Sequence, residues 1–105
     1  MSDNHAPLVV YTLEEAIADG VLVEVLRKRW KYLSGGKPVV ATAHLFEEVS
    51  LAGLLEIWNE YVDWRRNVLP GLPQEDQLFQ TTMTGKTVWV MEDAQAFTLL
   101  YPEDY

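Results

Sequence analysis

The chain of 105 residues contains no cysteine, which excludes disulfides, thiolate nucleophiles and thiolate metal ligands. Histidine is scarce: there are two, His5 and His44. A metal site needs three or four ligands with supporting contacts, so two distant histidines do not define one. No apolar run is long enough to span a membrane. The opening MSDNHAP carries an acid and lacks the apolar stretch of a signal peptide. Cation is also in short supply, with eight Lys and Arg against sixteen Asp and Glu and a net charge of −8. Nucleic-acid affinity rests largely on neutralising phosphate with Lys and Arg, so this balance argues against direct nucleic-acid binding. The glycine pair in Ser34-Gly35-Gly36-Lys37-Pro38 lacks the spacing of a phosphate loop and reads as a turn. There is no nucleophile elbow and no dinucleotide-binding glycine pattern. The expectation is a cytoplasmic protein with no catalytic residue, no cofactor, no metal and no membrane partner.

What the chain does have is apolar surface. Its hydrophobic fraction is 49%, with four Trp and five Tyr. That is enough for one modest core, so residues 1–105 read as a single domain, with a frayed start over 1–7. The clearest periodicity lies in SLAGLLEIWNEYVDWRRNV, from Ser50 to Val68. Ser50 is a good N-cap. At about 100° per residue, Leu51, Leu54, Leu55, Trp58, Tyr61 and Val62 share one face. Ile57, Trp64 and Val68 widen the stripe, while Glu56, Asn59, Glu60 and Asp63 line the opposite side. Arg65 and Arg66 suit the negative end of the helix dipole. Pro70, Gly71 and Pro73 then form a loop.

Before this helix the chain alternates short elements. PLVVYT reads as a strand. Thr12 and Glu15 form a capping box that opens a short helix with Leu13, Ala16 and Ile17 inward, and Gly20 stops it. VLVEV reads as extended. LRKRWKYLSGGK gathers five of the eight basic residues and reads as a turn or two of helix followed by the glycine turn. PVVAT is extended, and Thr42 caps the short helix AHLFEEV. After the proline loop the period changes to two. DQLFQTTMTGKTVWVMEDAQAFTLLYP reads as a three-stranded antiparallel meander, turning at Thr84-Gly85 and at Glu92–Gln95. One face collects Phe79, Met83, Val88, Val90, Phe97, Leu99 and Tyr101. The other holds Gln80, Thr82, Thr87, Trp89 and Thr98, with Met91 and Leu100, and is expected to be mostly wet, with Trp89 covered by the N-terminal segments or left as a binding patch. The expected fold is α+β, with this three-stranded sheet packed against the long central helix and closed by the short N-terminal strand and helices.

Chemistry is thinly signalled. His44, Glu47 and Glu48 form H-x-x-E-E on a short helix, with His44 and Glu47 on one face, as a metal pair or an acid–base pair requires. Glu56, Glu60 and Asp63 run along one side of the central helix at about one charge per turn and can imitate a phosphate backbone. The partner-binding candidates are Glu56, Glu60 and Asp63, with Trp64 on the apolar flank of the same helix and Trp89 on the far face of the sheet. The leading reading is a non-enzymatic module that binds a protein partner, a basic one by charge, as an acidic inhibitor or nucleic-acid mimic. The alternatives are a homodimer or larger scaffold joined through Trp64 and Ile57, and a small ligand- or metal-binding enzyme centred on His44.

The segment Tyr11–Val25, YTLEEAIADGVLVEV, followed by PVVATAHLFEEV, resembles a family of small bacterial proteins of unknown function often carried on plasmids and phages. The likeness covers roughly the first half of the chain. It implies an accessory protein of a mobile element, a class that includes inhibitors of host defence, and it transfers no catalytic residue to this chain.

Overall fold

The computed structural model describes residues 12–26 and 37–105. The expected frayed start, the PLVVYT strand and the basic helical turn with its glycine turn lie outside these residues, apart from their edges at Thr12, Leu26, Lys37 and Pro38.

The first helix, α1, runs from Leu13 to Ala18. The Thr12 hydroxyl accepts from the Glu15 amide and the Glu15 carboxylate accepts from the Thr12 amide. This reciprocal cap matters because two turns cannot hold themselves. Gly20 ends the helix at φ +77°, a conformation that costs a side-chain-bearing residue. Strand β1 is Leu22–Leu26 and β2 is Val39–Thr42. Thr42 caps α2, Ala43–Glu48, and Ser50 caps the long α3, Leu51–Asn67. Two short 3-10 turns, Leu69–Gly71 and Gln74–Asp76, carry the chain to β3, Phe79–Thr81. Strands β4, Val88–Glu92, and β5, Phe97–Leu100, follow, and a last 3-10 turn spans Pro102–Asp104.

The meander is present: β3 pairs with β4 and β4 with β5, both antiparallel. The expected three-stranded antiparallel sheet nevertheless needs correction. β5 also pairs in parallel with β2, and β2 pairs antiparallel with β1, which makes a mixed five-stranded sheet in the order β1-β2-β5-β4-β3. The reason lies in β2. All of Val39, Val40, Ala41 and Thr42 are buried, as in a strand covered on both faces. A run without alternation belongs in the middle of a sheet, and it occupies the edge that β5 would otherwise present to water.

Helix α3 packs on one face of this sheet. Leu54, Ile57, Trp58 and Tyr61 meet Val39, Ala41, Phe79, Val88, Val90, Phe97, Leu99 and Tyr101, together with Leu45 from α2. Trp58, Tyr61 and Phe97 form a ring cluster with centroids 5.1–5.9 Å apart. The other face carries a smaller cluster of Ala16, Leu22, Val40 and Ala96, beneath α1. Six of the seven residues assigned to the meander's core face are buried, and Met83 is 48% exposed. Pairing of β3 stops at Thr81, so alternation no longer applies two residues later. Leu100, placed on the wet face, is only 1% exposed. Joining β2 to β5 turned that part of the reverse face into interior. Leu51 also departs from its stripe and is 51% exposed, because it lies at the helix start, before the stripe meets the sheet.

Candidate functional site

Two groups of polar side chains merit comparison. The first is the outer face of α3. Glu56, Glu60 and Asp63 are exposed there, as the helical spacing requires. Asn67 donates to Asp63 at 2.9 Å. Among the described residues Glu56 and Glu60 meet no cation. The described cations are largely committed elsewhere. Lys37 and Arg65 both bind Glu92, and Lys86 binds Glu48. Burial pushes Glu92 up, but hydrogen bonds from Lys37 and Arg65 outweigh it and hold the carboxyl below its ordinary range. Lys37 and Arg65 also lie over the Phe97 ring, 4.8 and 5.6 Å from its centroid. This triad ties the start of β2, the last turn of α3 and the end of β4 together, and among the described residues no ion pair reaches Glu56, Glu60 or Asp63.

The two candidate tryptophans lie on opposite sides of the sheet. Trp64 lies on the core side of the sheet, with its ring 5.3 Å from Phe79 and 5.9 Å from Tyr61. It lines an open groove of about 440 Å³ with Tyr61, Leu69, Gln77, Leu78 and Met91. Trp89 alternates with buried Val88 and Val90 on β4 and therefore faces the other way. It donates to Gln80 at 3.3 Å and meets the edge of Tyr105 at 6.1 Å. Glu56, Glu60, Asp63 and Trp64 share α3, and Trp89 cannot join them in one patch. Of the flank Ile57 and Trp64, Ile57 is fully buried.

The second group surrounds His44, with partners other than those its sequence suggests. Helix α2 places His44 and Glu48 one turn apart, and the imidazole Nε2 lies 3.2 Å from Glu48. Glu47 is exposed and makes no pair with it. The other ring nitrogen, Nδ1, lies 3.0 Å from Asp104, delivered by the last turn. The Tyr101 hydroxyl donates to Glu48 at 2.8 Å, and Lys86, from the β3–β4 hairpin, donates at 3.0 Å. Lys86 also sits 5.1 Å above the Tyr101 ring, whose edge meets His44 at 4.8 Å. Thr42 donates more distantly to Asp104 at 3.4 Å.

The electrostatics follow from these contacts. The Asp104 hydrogen bond, followed by the nearby charges of Asp104 and Glu48, raises His44 above 6.5. Hydrogen bonds from Tyr101 and Lys86 lower Glu48 to about 2. Burial, reinforced by Glu48, pushes Tyr101 up to about 12. Both imidazole nitrogens face carboxylates, so both are satisfied only in the doubly protonated ring. Such a ring has no lone pair for a metal or for taking a proton. The cluster is built to hold an imidazolium in place. Among the described residues no group of His, Asp and Glu is arranged to hold a metal ion.

Sequence reasoning named His44 and Glu48 but missed Lys86, Tyr101 and Asp104. These lie 38 to 60 residues from their partners, beyond any local spacing rule. The acidic Pro102–Tyr105 segment was the only visible trace. Comparison with known proteins brings no match to a family model, a curated protein or a solved structure. No helix among the described residues is long and apolar enough to cross a membrane.

Proposed function

We propose that this chain is a non-enzymatic protein-binding module whose contact surface is the acidic outer face of α3, at Glu56, Glu60 and Asp63. One observation carries the reading. These acids are exposed in a row on a rigid, capped helix, while Lys37, Arg65 and Lys86 neutralise carboxylates elsewhere. A net charge of −8 adds long-range attraction for a basic partner. A more specific form of the proposal follows from the charge row and from the likeness to mobile-element proteins. In that form the helix takes the place of a phosphate backbone and occupies the channel of a host nucleic-acid-binding defence protein. The groups of the His44 cluster are paired with one another.

The test is capture on immobilised protein at low and high salt, beside the variant Glu56→Gln/Glu60→Gln/Asp63→Asn. The expected result is a basic partner held at low salt, released steeply as salt screens the charges, displaced by duplex DNA and lost with the triple variant. Equal capture by the variant, or no basic partner at low salt, overturns the proposal. Displacement by salt but not by DNA retains the binding surface and removes the mimicry.

A further inference from the structure

The last turn connects two features that the binding proposal does not use. Asp104 reaches back to His44, and the next residue, Tyr105, lays its ring edge against Trp89. Among the described residues Trp89 is the large aromatic of the strands on the otherwise polar part of the reverse face, and Tyr105 is a cover over it. Tyr105 is itself 75% exposed, so its own burial does little to hold the cover in place. Its position depends on the turn before it. The backbone bonds of that turn are local, from Asp104 to the Tyr101 carbonyl and from Tyr105 to the Pro102 carbonyl. Beyond Thr42 at 3.4 Å, the tertiary hydrogen bond that holds Asp104 among the described residues is to the imidazole.

We propose that residues 102–105 form a proton-controlled strap over Trp89, closed while His44 donates to both Glu48 and Asp104 and loosened when it can donate to only one. The asymmetry between the two carboxylates sets the direction. Glu48 is fixed by Tyr101 and Lys86 and cannot withdraw. Asp104 sits on a three-residue turn and can. When the ring loses a proton, the remaining N–H stays with the fixed Glu48 and the other nitrogen turns a lone pair toward Asp104 about 3 Å away, which loses its donor. The acids around the ring favour its charged form, Glu48 on its own helix and Glu103 and Asp104 on the turn, while Lys86, reaching in from the hairpin toward Glu48, opposes them and Tyr101, just after β5, hydrogen-bonds Glu48. Strand β1 contributes Glu24 opposite Val40, and β2 contributes no titratable side chain. The raised His44 value puts the transition above 6.5. This inference does not depend on the acidic face of α3.

The test is an NMR titration of the whole 15N-labelled chain from about pH 5 to 9, bracketing an imidazole's range. The expected result is that the Trp89 indole N–H and the Glu103–Tyr105 amides move together at the His44 midpoint. Heteronuclear NOEs at Asp104 and Tyr105 should fall above it. His44→Gln should remove that transition, and Asp104→Asn should uncouple Trp89 while lowering the His44 midpoint. The strap is overturned if Trp89 and residues 103–105 stay still while His44 titrates, or if they titrate unchanged in His44→Gln. The unmutated chain decides the question alone if a variant does not fold.

Discussion

Gly85 holds φ at +98° in the β3–β4 hairpin, with nothing within 4 Å of where a Cβ would stand. Gly85→Ala therefore costs backbone strain alone, about 1–2 kcal/mol, with no packing loss. Urea unfolding should show the midpoint falling at constant slope. The residue also aims Lys86, its neighbour, at Glu48. Tyr101→Phe probes the same carboxylate from inside. It removes the largest influence holding Glu48 near 2, so carboxyl NMR should show the Glu48 midpoint rising toward its ordinary range. An unchanged midpoint would assign that work to Lys86.

At the scale of the element, α3 shows how far a stripe predicts burial. Leu51 and Leu54 lie on the same apolar face, yet Leu54 is fully buried and Leu51 half exposed. Leu54→Ala should destabilise by about 2–5 kcal/mol, the range for an emptied core site. Leu51→Ala should stay within about 0.5 kcal/mol, as for an ordinary surface change. Similar losses at both positions would mean that something covers Leu51 in solution. The wheel identified the face; where the sheet ends decided which of its residues are core. The same holds for α2. Periodicity placed His44 near Glu47 and Glu48, but the ring's rotamer and the returning last turn chose Glu48 and Asp104.

For the whole molecule, the shifted groups define a pH profile. Glu48 and Glu92 are lowered, so their contribution is complete above about 4.5 and is lost as pH falls, for Glu48 toward about 2. His44 is raised, so its contribution is complete below 6.5 and is lost as pH rises through its folded value. Together they place greatest stability between 4.5 and 6.5. The excess of acids acts in the same direction, because their mutual repulsion eases toward the acid side. Thermal melts across this range should show that maximum, and His44→Gln should flatten its alkaline side. A melt that continues to rise above neutrality would count against the assigned His44 environment.

Local rules were sufficient wherever the deciding contacts are near in the chain. The Thr12–Glu15 box, the Thr42 and Ser50 caps, the stop at Gly20 and the alternation of the meander all depend on partners within a few residues. Each was legible because capping and pleating are set by backbone geometry over that distance. The parallel β2–β5 pairing and the burial of Leu100 were not legible. Neither was the union of His44 with Asp104. These depend on which surfaces meet after the sheet closes, and the pattern that makes a segment a strand does not name its distant neighbour.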